Sequence, residues 1–339
     1  MRSALTLLTL LLGSTTAAAV EQTGGRVPEA GISTAARAPT VDQVCNKAMH
    51  WLDGHPASVR DNELMEVVEE VMFYYALYST PGYEAERPHF LREMAGRNRA
   101  LEAYLAQGGD RQLQGNEAAL TYPPLVHILS EVGLDTAAYR ELIDGLIARK
   151  QHLAPPRNAM RLWIVIYLAR MDRVPDASVQ YLLNQSALQQ DPQTHVLLDY
   201  FTDHAAASGD PGASIQLVYN MTHEIIALTD FGALPPPPVM TAQRTHYARL
   251  VDAAIGWATR ESALDVLAEL VFCAHLLDLG ELPAQPAALA LIISKQQADG
   301  SFGITNPDRP NGVRHGVLTA LLALKTLGAG TRAVETRAR

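Results

Sequence analysis

Cysteine is almost absent. Cys45 and Cys273 are the two in this 339-residue chain, and neither belongs to a CxxC pair, which excludes a cysteine-based zinc site. Two cysteines so far apart read either as buried small hydrophobes or as one disulfide closing a very long loop in an exported protein. Dense Lys/Arg clusters are lacking as well: 27 basic residues face 36 acidic ones, a formal charge of -9. Nothing in that pattern neutralises phosphates, so nucleic acid is excluded as an expected partner. No apolar run reaches the roughly 20 residues of a transmembrane helix, and no stretch keeps the two-residue alternation of a strand.

What is present is helical. With 48% hydrophobic and 19% charged residues the chain has the composition of a globular protein with a large core. At its start, Arg2 precedes an apolar run from Ala4 to Leu12 and the small residues Ala17, Ala18 and Ala19. That is the layout of a secretory signal over residues 1–19, and export to the periplasm or medium is expected; the alternative is an N-terminal extension of a cytoplasmic protein. Residues 20–40, rich in Gly, Ala, Thr and Pro, read as a disordered linker, 41–328 as one folded domain and 329–339 as a disordered tail.

Within the domain, apolar residues recur at three and four positions, broken by Gly or Pro. The pattern predicts about 12 helices, among them 62–78, 88–107, 117–132, 158–171, 211–230, 242–258, 263–279, 287–297 and 313–327. Ser262 with Asp265 predicts a capping box, and Gly280 and Gly328 predict left-handed helix ends. The helices 211–230, 263–279 and 313–327 are apolar nearly all round and alternate with more polar ones. That alternation predicts an all-α fold of the α/α toroid type, a closed ring of helical hairpins with inner and outer members.

The turn KQQADGSFG, Lys295 to Gly303, resembles the Q-x-x-D-G-S-(F/W)-G turn between helix pairs of the α/α toroid superfamily, which includes terpenoid cyclases, protein prenyltransferase β subunits and thioester-containing complement domains. The resemblance implies the scaffold and not the reaction: DxDD, DDxxD, GCGEQ and a D-x-C pair are all missing. The THxxxxxTDFG stretch from Thr222 to Gly232, the apolar pattern from Glu269 and the RHGVLTALLAL helix around His315 are similar to an uncharacterised bacterial all-helical domain family. That similarity spans most of 41–327 and implies no activity.

The candidate site comes from ionisable residues on apolar helices, where a charge is costly unless it is paired or bound to metal. His223 and Asp230, almost two turns apart, are expected on one helical face. HEIIA at His223 begins like the zincin HExxH, but Ala227 stands where the second histidine belongs, which rejects that protease class. Glu269 lies deep in an apolar helix, with Asp265 one turn earlier explained as a capping residue. His315, in the first turn of its helix, is expected to stay neutral beside the positive end of the helix dipole, as a metal ligand or general base. Parallel inner helices would bring Glu269 and His315 to one mouth of the ring, with His223 offset by roughly 7 to 8 Å.

Two functions follow. One is an enzyme with His223, Glu269 and Asp230 in catalysis, and one divalent metal such as zinc or iron on His223, Glu269 and His315. The other is a binding scaffold for a small molecule, peptide, lipid or protein partner.

Overall fold

The computed structural model describes residues 39–57, 64–108, 116–186, 188–189, 191–204, 211–302 and 312–337. The expected leader and nearly all of the expected linker lie outside these. Among the described residues there are 14 α-helices and no strand. They are α1 (Val41–Gly54), α2 (Leu64–Ser79), α3 (Arg87–Ala106), α4 (Asn116–Glu131), α5 (Arg140–Ala148), α6 (Asn158–Arg170), α7 (Asp176–Leu183), α8 (Asp191–Asp199), α9 (Pro211–Thr229), α10 (Pro238–Ala242), α11 (Arg244–Arg260), α12 (Leu264–Leu276), α13 (Gln285–Ser294) and α14 (Gly312–Arg337). No described helix is long and apolar enough to cross a membrane. Cys45 and Cys273 are both buried and are not joined by a disulfide, which removes that alternative.

The chain starts its first helix where a reciprocal cap forms: the Gln43 amide donates to the Thr40 hydroxyl while the Thr40 amide donates to Gln43 Oε1. Other expected ends differ. Ser262 sits in the left-handed region at φ 53° and gives no side-chain cap, so α12 begins after Ala263 and Asp265 is released from a capping role. Gly328 does not end the last helix, which continues to Arg337 and makes helix of residues expected as tail. Gly280 is left-handed as expected, at φ 75°.

Six helices share the apolar core. Successive members pack side by side in the order α2, α4, α6, α9, α12, α14, and α14 packs in turn against α2 and α1. α2, α6 and α12 are buried on nearly every side, whereas α3 buries a single stripe of Phe90, Met94, Asn98 and Leu101. α4 carries Pro123 and Pro124 in its interior. Pro124 has no N–H to give the Leu120 carbonyl, and the Trp163 indole N–H of α6 donates to that oxygen instead, at 3.2 Å.

Two contacts tie the last described helices to the first two. Arg314 of α14 is buried and donates to Glu66 Oε2 at 2.9 Å, to Glu70 Oε1 and to the His55 carbonyl, joining the last helix to α2 and the end of α1. The turn after α13 docks on α1: Gln296 Nε2 donates to the Val44 carbonyl at 2.8 Å and Lys47 Nζ to the Gln297 carbonyl at 3.3 Å. Asp299 accepts from the Ser301 amide and hydroxyl, both at 2.9 Å, and Phe302 is buried behind it. Gly300 stands at φ 106°, and a Cβ there would lie 2.5 Å from the Lys47 carbonyl oxygen. Gly300→Ala is therefore expected to destabilise the fold by about 2 kcal/mol or more, from the clash and the left-handed backbone together. A thermal melt several degrees below wild type checks this; an unchanged midpoint would show that the turn does not seat on α1.

Candidate functional site

A cavity of about 140 Å³ opens among the six core helices, lined by residues from all of them. Its walls include Met65, Met72 and Phe73 of α2, Leu120 of α4, Met160 and Trp163 of α6, Ile226 of α9, Phe272 of α12, and Leu318 and Leu322 of α14, with Phe231 just past α9. Glu69, His223, Glu269 and His315 line it too. The proline-bearing turn of α4 and its Trp163 partner thus form part of the wall.

The polar end is built around His315. Its Nδ1 lies 3.2 Å from Glu69 Oε2, and its Nε2 lies 3.2 Å from Asp265 Oδ1 and 3.9 Å from Glu269 Oε1. The carboxylates are held in turn. Tyr219 donates its hydroxyl hydrogen to Asp265 Oδ2, Thr319 donates to Asp265 Oδ1 at 3.1 Å, and Thr222 donates to Glu269 Oε2. One ligand atom each from Asp265, Glu269 and His315 fall within 4.8 Å of one another.

His223 borders this group. Its Nδ1 donates to the Tyr219 carbonyl at 2.9 Å and lies 3.8 Å from Glu269 Oε2. The ring therefore carries its lone pair on Nε2. The offset expected from helix counting is absent because α9, at 19 residues, extends further at its N-terminal end than the 13-residue α12. Asp265, explained from sequence as a cap, takes the place expected for His223 in the tightest ligand set.

The electrostatics divide these groups. Burial alone would lower the pKa of His315, but the Asp265 and Glu69 charges outweigh it and hold the imidazole well above its ordinary value. The helix dipole argument for a neutral His315 is overturned by those two carboxylates. Burial opposes ionisation of Asp265, yet the His315 charge and the hydrogen bonds from His315, Tyr219 and Thr319 bring it down to about 2. Glu269 is pushed up to about 8, by burial first and the Asp265 charge second. His223 is pushed down to about 4 by burial. The cluster thus carries two removable protons, one on His315 and one on Glu269.

Asp230 does not join this site. α9 ends at Thr229, and Asp230, Phe231 and Gly232 follow at φ 50°, 54° and 95°, so Asp230 leaves the helical face that bears His223. Its Oδ2 accepts from the Tyr75 hydroxyl at 2.8 Å and pairs with His127 Nε2 at 3.0 Å, while Arg170 Nη1 pairs with Oδ1 at 3.0 Å. Arg170 also donates to the Ala227 and Leu228 carbonyls at the end of α9, at 2.8 and 3.3 Å. Burial works against the carboxylate, but His127 and Arg170 hold it below its ordinary value. Asp230 is a structural anion that secures a strained chain reversal.

Glu69, Asp265, Tyr219 and Thr222 are the site members that sequence reasoning missed. The signal for Glu69 was in LMEVVEEV, where three acids interrupt an apolar helix. Two of them, Glu66 and Glu70, are taken by Arg314, and the third faces His315.

Glu224, next to His223, is buried elsewhere, where Ser186 and, at 3.2 Å, Gln189 donate to its Oε1. Burial raises its pKa from the ordinary 4.5 to about 7 despite those bonds. Between these values the unfolded chain ionises Glu224 while the folded chain keeps the proton, so the folded state binds more protons and loses stability as pH rises. Glu224→Gln removes this share, on the order of 3 kcal/mol. The difference in melting temperature between the variant and wild type is expected to turn increasingly positive from pH 5 to pH 8; a difference independent of pH would contradict it.

No curated protein and no solved structure matches the chain. A family model does: it aligns with residues 64–314, a span that includes every core helix through the start of α14 and reaches Arg314 beside His315. The match covers well over half of the chain, which therefore belongs to the DUF6895 family, described as a domain of unknown function.

Proposed function

We propose that this protein is an enzyme that holds one divalent metal ion, of the zinc or iron type, on His315 Nε2, Asp265 and Glu269, at one mouth of a closed ring of six inner helices. The cyclic order of packing, with α14 returning to α2, supports the closed α/α toroid. The observation that carries the metal reading is the orientation of His315, with Nδ1 against Glu69 and Nε2 facing Asp265 and Glu269. A carboxylate behind one ring nitrogen is the arrangement that fixes the other as a metal ligand, and ligating carboxylates are in turn hydrogen-bonded, as Asp265 and Glu269 are by Tyr219, Thr319 and Thr222.

The spacing suits the ion. Ligands about 2.1 Å from a tetrahedral centre stand about 3.4 Å apart, close to the 3.2 and 3.9 Å separations from His315 Nε2. Charge suits it as well, since one divalent cation replacing the protons on His315 and Glu269 leaves the net charge of the cluster unchanged. Bound there, the ion supplies Lewis acidity or an activated water to a substrate in the apolar cavity. His223, neutral and with its protonated Nδ1 on the Glu269 side, would accept a proton from a substrate in the cavity at Nε2.

A metal-free acid–base site is the second reading, favoured by the separation of Asp265, at about 2, from Glu269, at about 8, on one helix. Elemental analysis and zinc titration of the purified protein distinguish the two. One equivalent per chain is expected, lost in His315→Ala and Asp265→Ala with helical content unchanged, retained in His223→Ala, and weakened roughly 10- to 100-fold in Glu69→Gln. Absence of stoichiometric metal in wild type, both as purified and after titration, would overturn the metal reading and leave the acid–base one.

A further inference from the structure

The lining of the cavity constrains what it receives. Its apolar part is rich in aromatic and thioether side chains, with Phe73, Trp163, Phe231 and Phe272 among them. Its size, about 140 Å³, is close to the roughly 150 Å³ of a protein cavity that admits benzene. At its polar end stand Glu69 and Glu269 with His315 and His223, and no Lys or Arg occurs among the described residues that line it. Asp265 stands just behind, so three acidic side chains surround one histidine.

In the metal-free cavity an anion would have no mobile cation to meet it, because His315 is already shared by Glu69 and Asp265. A cation meets the opposite conditions: an excess of carboxylate, and ring faces that attract positive charge. Trp163 and Tyr219 flank His223 with ring centroids 5.4 and 5.8 Å away, so the aromatic surface continues up to the acidic end.

We infer that the cavity takes an organic cation, an ammonium group carried on an apolar body of about the size of benzene, and that it discriminates against carboxylates and phosphates of the same shape. The inference rests on reading this cavity as the substrate pocket of the proposed enzyme, and not on the metal. It places the ammonium end beside Glu69 and Glu269 and the apolar body against Phe73, Trp163 and Phe272.

Three probes with one body and different charge test this: 2-phenylethylamine as its ammonium ion, 2-phenylethanol and phenylacetate. Each is titrated calorimetrically into the full chain at pH 7, once after chelator treatment and once with an equivalent of zinc. After chelator treatment the ammonium is expected to bind at least tenfold more tightly than the alcohol, and phenylacetate to show no saturable binding; saturable phenylacetate binding that appears only with zinc reports carboxylate ligation of the ion and supports the metal reading. Ala159→Phe, which fills the cavity from α6, is expected to abolish binding of the ammonium with helical content unchanged; Glu69→Gln is expected to reduce its advantage over the alcohol. After chelator treatment, binding of phenylacetate as tight as that of the ammonium, binding of none of the three, or ammonium binding that survives Ala159→Phe in a folded protein would each overturn the inference. A protein that ranks the probes as expected but takes up no zinc would sink the metal reading alone.

Discussion

The structure turns on how α2 divides its three acids between two neighbouring residues of α14. Glu66 and Glu70, one turn apart, clasp the Arg314 guanidinium, while Glu69 receives the His315 ring. Arg314 is buried, and breaking such a pair would leave an unpaired charge in the core at a cost of about 3 to 5 kcal/mol. The clasp joins the last core helix to the first and sets the rotation of α14 about its axis. His315 follows Arg314 directly, so the contact that joins α14 to α2 also aims the imidazole at Asp265 and Glu269. Arrangement of the site and joining of these two helices are one event.

The same logic explains why the core carries so much ionisable surface without unfolding. Buried ionisable groups meet an opposite charge or a donor from another helix: Asp230 meets Tyr75, His127 and Arg170, and Glu269 meets Thr222. Asp230 and His223 lie on one short segment yet have opposite fates. Asp230 sits beyond the helix end, where three left-handed residues turn it toward Arg170, and its bonds make that reversal affordable. His223, one turn and more earlier, keeps to the helical face that looks into the cavity. Between the two, Phe231 and Trp163 close the apolar wall, their rings 6.0 Å apart.

Most of the helices were legible because their signals are local. The three-and-four spacing of apolar residues and the left-handed Gly280 depend only on neighbours along the chain. The helices whose apolar character runs nearly all round could likewise be picked out as core members, and with them Glu269 and His315 as misfits of polarity. Where a local signal failed, a competing contact won: Ser262 has the right spacing for a capping box, but the backbone there is left-handed and Asp265 is drawn to His315 and Tyr219.

By itself, then, the amino-acid order determined that the fold is helical and which helices are too apolar to face water, while about 12 helices were expected and 14 are found among the described residues. Partners at long range were decided by the tertiary structure alone. Glu69, Asp265 and His315 come from three helices far apart in the chain, and which oxygen meets which nitrogen depends on the rotation and axial shift of each helix in the packed core. A shift of one residue turns a side chain by about 100° around a helix, enough to exchange cavity for core. Periodicity records the first quantity and is silent on the second, because burial favours a whole apolar face whereas a hydrogen bond needs one atom within about 3 Å of another.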